Sequence, residues 1–317
     1  HHGQKSRLDE TLGKLSLGKG EIIMCQLLGM NANTPTDIGF SFTGFRKRGG
    51  LTDYHEDGFG IVFFERTALG DIGLRQFHDD KPSHLSPVAD LVNHYPIEAM
   101  NVIAHIRKAT TGGHGLANIH PFVREVWGEQ WAFAHNGQMS DGFIRRTQRL
   151  MTNGNAEHYA PVGTTDSELA FCYLLNRLKA TFKTRPTYKM WFAFLRAQCI
   201  FWQANGLFNS LIQNGNGQWA YAGSLLFYLT RKAPFGEATL SDGEMTVNFS
   251  DVTTDKDKVT ILVTIPLTDN EQWQQLAVDE CIVFHDGEMV FKDTPSKKTY
   301  LSIEEGIKLA CSVGASV

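Results

Sequence analysis

MCQLLGMNANTPTD, residues 24–37, is where the chain changes character. On its N-terminal side, His1-His2-Gly3 resembles the end of a purification tag. KSRLDETLGKLSLGKGEII (5–23) is charged, punctuated by glycine and short of aromatics. Residues 1–23 carry no apolar signal core and no small-residue cleavage site, so they read as an extension outside the fold, either a tag or a natural leader. Leu8, Leu12 and Leu15, at i, i+4 and i+7, would permit a short amphipathic helix there. Met24 reads as the natural start. Cys25–Met30 is then an apolar run bounded by polar residues, which predicts a buried strand at the beginning of the fold.

Outward from this strand, Gly60–Phe64 and Asn101–Ile106 read as further buried strands, and Trp131–His135 as another that ends at an Asn136-Gly137 turn. Leu207–Ile212 and Trp219–Ala222 flank Asn214-Gly215-Asn216-Gly217, a hairpin signal. Leu225–Thr230, Val259–Thr264, Ile282–Phe284 and Met289–Phe291 continue the pattern. Helices are fewer. Thr165-Asp166-Ser167-Glu168 forms a capping box ahead of Leu169, Tyr173, Leu174 and Leu178. Tyr188–Ala204 is apolar around much of its circumference and so predicts a sandwiched helix; Pro87–His94 and Ile303–Cys311 are shorter. Many strands with helices in blocks, and no linker or repeat, predict a layered α+β fold, with residues 24–317 as one large domain.

The chain has 317 residues, 42% hydrophobic and 20% charged, with 30 Lys+Arg against 34 Asp+Glu and a net charge of −4. That balance, without a basic run, argues against nucleic-acid binding. No apolar stretch approaches the ~18–20 residues of a membrane helix. The five cysteines (Cys25, Cys172, Cys199, Cys281, Cys311) form no CxxC pair, which points to a reducing, cytoplasmic setting rather than a disulfide framework. His78, Asp79, Asp80 and His84 around Pro82 read as a solvated polar surface. His114, His120 and His135 lack metal-ligand spacing and suit structural or positioning roles. Gly58-Phe59-Gly60 is only a fragment of a dinucleotide fingerprint and no phosphate loop is present, so no cofactor is expected. Trp191, Phe192, Phe194, Phe201 and Trp202 read as packing residues.

Three groups of residues carry chemistry. A cysteine directly after an initiator methionine becomes the first residue when the methionine is removed, and its α-amine, with a pKa of roughly 7.7–8.0, can accept the thiol proton. In Ala134-His135-Asn136-Gly137, the Asn amide and the Gly backbone N–H can converge on a developing oxyanion, because glycine permits close backbone approach. In His105-Ile106-Arg107-Lys108-Ala109-Thr110, an Arg at a strand end suits a substrate carboxylate through a bidentate fork. Asp166, in Gly163-Thr164-Thr165-Asp166-Ser167-Glu168, could pair with an ammonium. Taken singly, each has a plainer reading: a small buried thiol, a strand-ending turn, a surface ion pair, a helix cap.

Taken together and in order, Cys25, HIRKAT (105–110), AHNG (134–137) and GTTDSE (163–168) resemble the class II glutamine amidotransferases. The opening MCQLLGMNANTPTDIGFSFTGFRKRGG, HPF (120–122), FVREVWGEQWAFAHNGQ (122–138) and RKAPFG (231–236) are similar to the stand-alone YafJ-like type 4 branch, over roughly Met24 to Val290. The resemblance implies the four-layer αββα sandwich of N-terminal-nucleophile hydrolases. It implies Cys25 as nucleophile on the side-chain amide carbon of glutamine, Asn136 and Gly137 as oxyanion hole, Arg107 with Thr110 at the α-carboxylate, and Asp166 at the α-ammonium. A γ-glutamyl thioester would form and be hydrolysed to glutamate.

Two departures stand out. Cys25 is preceded by Met24, and while that peptide bond persists the proposed base is missing. No ammonia-consuming domain is evident, which leaves room for a separate acceptor protein, and homo-oligomerisation is also open. Three functions fit this sequence: ammonia release from glutamine, hydrolysis of another γ-glutamyl amide such as a peptide or thiol conjugate, and a catalytically silent interaction protein that kept the fold.

Overall fold

The computed structural model describes residues 25–53, 55–109, 113–152 and 158–314. The expectations for residues 1–23, for Met24 and for Thr110 lie outside these described residues.

Two antiparallel sheets form the centre. In spatial order, the first contains β13 (Gln274–Gln275), β9 (Phe227–Lys232), β12 (Lys258–Val263), β1 (Gln26–Asp37), β4 (Glu98–Ile106), β2 (Phe59–Arg66) and β3 (Ile72–Asp79). The second contains β15 (Glu288–Asp293), β14 (Glu280–His285), β8 (Gly217–Ala222), β7 (Gly206–Gln213), β6 (Glu129–Met139) and β5 (Phe122–Val126). A small hairpin, β10 (Glu237–Thr239) with β11 (Thr246–Asn248), stands apart. The helices are α1 (Gly39–Lys47), α2 (Pro87–His94), α3 (Asp141–Thr152), α4 (Asp166–Thr181), α5 (Tyr188–Gln203) and α6 (Ile303–Gly314).

Period-2 alternation along the central strands assigns each side chain to one of three apolar layers. On β1 and β4, Leu28, Met30, Val102 and Ala104 face α1 and α2, where they meet Phe42, Phe45, Ala89 and Val92. Leu27 and Ile103 point the other way, into the space between the sheets, against Ala132, Ala134, Leu211 and Ala220. On β6 the odd positions Trp131 and Phe133 face the other helical side and pack with Phe171, Trp191 and Trp202 of α4 and α5. The sheet–sheet layer mixes alanines such as Ala132, Ala134 and Ala220 with larger residues such as Phe64, Leu262 and Phe284, while tryptophans gather in the layer beneath α4 and α5. Three apolar layers between four structural layers make the αββα sandwich that the resemblance implied. Trp191 and Trp202 are fully buried, and Phe192, Phe194 and Phe201 pack against the same core, as expected.

Several boundaries differ from expectation. β6 does not end at His135: it continues through Asn136 and Gly137 to Met139, because both residues stay in register with Asn209 and Phe208 of β7. β1 extends to Asp37, with a register shift between Asn31 and Thr36. The segment around Pro82 is solvated only in part: Asp80 is exposed, His78 and Asp79 are half-buried, and the end of the segment is bound, since the Ser83 hydroxyl donates to the Arg46 carbonyl at 2.6 Å and His84 Nδ1 lies 2.6 Å from the Gly49 carbonyl oxygen.

Candidate active site

The start of β1 meets the end of β4 at one rim of the first sheet, because Gln26 pairs with Ile106. That register carries Cys25 alongside Arg107 and Lys108. The Cys25 side chain is half-buried. Its Sγ accepts the Lys108 backbone N–H at 3.1 Å and lies 3.3 Å from the Lys108 carbonyl oxygen, to which the thiol can donate. Burial pushes this thiol up to about 11 from its usual 9.0. The Lys108 N–H and the Arg107 charge pull the other way, while the Asp57 carboxylate adds to the rise. A thiol in this state is a poor nucleophile at neutral pH until a base takes its proton.

Arg107 is 3% exposed, so it is not the surface ion pair of the plainer reading. Its backbone N–H donates to the Gly58 carbonyl at 2.9 Å, which ties the end of β4 to the residue before β2. Burial lowers its pKa, and the negative groups it senses in opposition are Cys25, Asp57 and Asp166. Asp57 in turn accepts the Ala109 N–H at 2.7 Å and faces His114 at 3.4 Å.

Asn136 comes from the second sheet. It sits at the even-numbered register of β6 that faces the first sheet, and it reaches across. Its Nδ2 donates to the Cys25 carbonyl and, at 2.9 Å, to the Thr264 hydroxyl. Gly137 next to it adopts φ 128°, in the region that disfavours side chains. A Cβ there would lie 1.9 Å from the Leu207 carbonyl oxygen. Glycine is required by both conformation and space.

Asp166 opens α4, where Thr165 is the N-cap and its hydroxyl accepts the Glu168 N–H at 3.1 Å. The capping box is only half formed. Glu168 is turned away to Arg124 and to the backbone N–H groups of Val162 and Gly163. Asp166 itself accepts from Met139 N at 2.7 Å and from Ser167 N at 2.9 Å. It therefore ties α4 to the end of β6, two residues beyond Gly137, and a carboxylate with two such bonds retains lone pairs for a cation.

Beneath Asn136-Gly137, His135 Nε2 lies 3.1 Å from the Leu207 carbonyl oxygen and Nδ1 2.8 Å from the Ser167 hydroxyl. A carbonyl can only accept, so the proton is assigned to Nε2 and Ser167 donates to Nδ1. The His105 and His120 rings lie against each other with centroids 4.2 Å apart and planes tilted by 36°. Burial drives both toward the neutral form: His105 falls to about 3, helped by the Arg107 charge and opposed by a contact with Asn136. His120 also falls well below its usual range. Among the described residues, no group of three or more His, Cys, Asp or Glu side chains is arranged to hold a metal ion.

The fold thus brings Cys25, Arg107 and Asn136 together, with Gly137 and Asp166 adjoining through β6. Sequence reasoning missed four contributors: Asp57, Thr264, Arg48 and the Lys108 backbone. Arg48 is buried after α1, donates to Gln26 Oε1 at 3.3 Å and to the carbonyls of Ile265 and Pro266 at 2.8 and 2.6 Å, and pairs with Asp242 at 2.8 Å. It holds the residue after Cys25 against the segment after Thr264. None of the four has a local signal, since each acts on a residue distant in sequence.

The chain matches the family described as glutamine amidotransferases class-II over residues 24–305. It is 44% identical over 274 residues to a protein of Haemophilus influenzae provisionally named a glutamine amidotransferase, covering 84% of this chain and 86% of the relative. To the similarly named YafJ of Escherichia coli it is 45% identical over 268 residues, covering 84% of this chain and 100% of the relative. The crystal structure of a predicted glutamine amidotransferase from Pseudomonas aeruginosa superposes with a TM-score of 0.63 at 36% identity, covering 84% of this chain and all of the other.

Proposed function

The chain belongs to the class II glutamine amidotransferases, in their YafJ-like branch, and from that premise we propose that it hydrolyses the side-chain amide of glutamine through a γ-glutamyl thioester on Cys25. The observation that carries this reading is the convergence on Cys25 from two sheets: Lys108 and Arg107 from the end of β4, Asn136 from β6. The proposal treats residues 24–317 as one amidotransferase domain.

The chemistry follows from the geometry. A thiol raised to about 11 needs a base at hand. The α-amine of Cys25, free once Cys25 is the first residue, is that base. The Sγ lone pair attacks the amide carbon as the thiol proton passes to the amine. The carbonyl π electrons move onto oxygen, where the Asn136 N–H that rests on the Cys25 carbonyl before substrate binds turns to the charge and, with the Gly137 backbone N–H, stabilises it by about 3–4 kcal/mol per donor. Collapse of the tetrahedral species breaks the C–N bond, and the amine's proton leaves with the nitrogen as ammonia. Water then adds to the thioester under the same base, releasing glutamate and restoring the thiol. Arg107 holds the substrate α-carboxylate, with Thr110 contributing from the same motif. Asp166 holds the α-ammonium beside the Gly137 backbone.

The test uses protein that begins at Cys25, verified by intact mass, and measures glutamate release from glutamine and from a panel of γ-glutamyl peptides. The expected outcome is turnover of glutamine that Cys25→Ala reduces to background while the circular dichroism spectrum is unchanged. Equal rates in Cys25→Ala would overturn the assignment, and release from the peptides alone would move the substrate to another γ-glutamyl amide.

A further inference from the structure

Thr264 stands one residue beyond the end of β12, is fully buried, and belongs to no motif of the reaction. The regular ladder between β1 and β12 stops at the Leu28–Val263 pair. One step further the pattern changes. The Thr264 N–H donates to the Leu27 carbonyl at 3.2 Å, while the Leu27 N–H is taken by the Thr264 hydroxyl at 2.9 Å rather than by a backbone carbonyl. The same hydroxyl accepts Asn136 Nδ2 at 2.9 Å. Its two lone pairs are therefore both used, one for the strand that carries Cys25 and one for the amide from the opposite sheet.

The orientation of that amide matters for the chemistry. The terminal torsion of an asparagine is soft and roughly two-fold, so a carboxamide can present N–H or C=O to the same point at little intrinsic cost. Only the N–H face stabilises an oxyanion; the carbonyl face would oppose it. Asn136 Oδ1 makes no well-formed hydrogen bond among the described residues, and its side chain is also in contact with His105. The two Nδ2 contacts are the well-formed hydrogen bonds that hold the amide. One of them goes to the carbonyl of Cys25, the residue that takes part in the reaction. The Thr264 contact is made instead to a side chain outside the reacting atoms.

We propose that Thr264 is a positioning residue that pins one N–H of the Asn136 amide and ties it to the strand bearing Cys25, so that the other N–H, which rests on the Cys25 carbonyl in this structure, is the one presented to the reacting carbonyl when substrate binds. The inference rests on the amidase reading of Cys25 and deepens it. Substrate binding through Arg107 and Asp166 does not involve this hydroxyl, so its loss acts on the chemical step and not on affinity.

The experiment compares Thr264→Val, which keeps the shape and removes the hydroxyl, with Thr264→Ser, which keeps the hydroxyl, in protein beginning at Cys25. Thiol titration of Cys25 normalises each rate to intact sites. Thr264→Val is expected to lose about 100-fold in kcat, at the lower end of the loss seen on removing an oxyanion donor, with KM within about twofold; Thr264→Ser is expected to recover kcat to within about threefold. If Thr264→Val does not fold, Thr264→Ala takes its place with the same expectation. The proposal is overturned by full kcat in the hydroxyl-less variant, by an equal loss in Thr264→Ser, or by a raised KM with kcat intact. If the parent protein turns over no γ-glutamyl compound, it is the amidase reading that fails. The clamp is then read from the Asn136 side-chain NH2 resonances. These should shift in Thr264→Val and stay in place in Thr264→Ser, and unchanged resonances in both would overturn it.

Discussion

Gly137 illustrates how narrowly single residues are constrained at this site. Its φ of 128° and the 1.9 Å approach of the Leu207 carbonyl oxygen to any Cβ leave no room for a side chain. The neighbour here is backbone in a paired strand, so it cannot swing aside. Gly137→Ala is expected to destabilise the fold by about 2–4 kcal/mol, from backbone strain of about 1–3 kcal/mol plus displacement of β7. A fall in the denaturant midpoint checks this, and an unchanged midpoint would contradict it. The importance of Gly137 was legible in the sequence, because Asn-Gly after an apolar run is a recognisable pattern. Its reason was not. The pattern predicted a strand-ending turn, whereas the strand runs on and the glycine is demanded by a carbonyl contributed 70 residues later in the chain. Asn136 was likewise visible as a candidate, but its partners Cys25 and Thr264 lie 111 and 128 residues away.

Elements were readable where their signals are local. Helix α4 was announced by Thr165 and Glu168 at capping-box spacing, and the Thr165 hydroxyl does accept the Glu168 N–H. Thr165→Ala is expected to cost about 1 kcal/mol, the usual worth of such a cap, seen as a lower midpoint with an unchanged denaturant slope. An unshifted midpoint would mean that neighbouring contacts, not the cap, set the start of α4. Helix α1 went unread. Its sequence GFSFTGFRK contains two glycines, and its N-cap, Ile38, makes no side-chain hydrogen bond to the helix. It is helical because Phe42 and Phe45 are fully buried against the first sheet and because Gly44 allows the Leu240 side chain to approach. The far end of β1 was missed for a related reason. Asn31, Asn33 and Thr34 show no apolar alternation, yet Asn33 accepts the Lys258 N–H at 2.8 Å, and Asn31 accepts that of Gly287 at 2.7 Å while donating to Asn101. Tertiary partners supply what periodicity lacks.

At the scale of the whole molecule, burying neutral histidines between and beside the sheets makes stability depend on pH. His105 is lowered to about 3, and His120 and His135 are lowered as well, with burial the largest cause in each. Unfolding exposes these rings to an ordinary value near 6.5, so below that pH the unfolded chain binds protons that the native chain does not. Their stabilising contribution is complete above pH 6.5 and is lost as pH falls toward the native values. Each ring costs up to ~1.4 kcal/mol per pH unit within that window. The urea midpoint should therefore fall steadily from pH 6.5 to 4.5, before Glu280, whose pKa is itself lowered, begins to titrate. His105→Gln should flatten that slope, and a midpoint constant over the window would refute the argument. The sequence by itself determined the family, the layered α+β class and the candidate residues Cys25, Arg107, Asn136, Gly137 and Asp166, because motif order and apolar periodicity are properties of neighbours along the chain. Only the tertiary structure decided that β6 continues through Asn136 and Gly137, that burial raises the Cys25 thiol, and that Thr264, Arg48 and Asp57 come to the candidate site. Those facts depend on desolvation and on hydrogen bonds between segments that meet only when the two sheets stack.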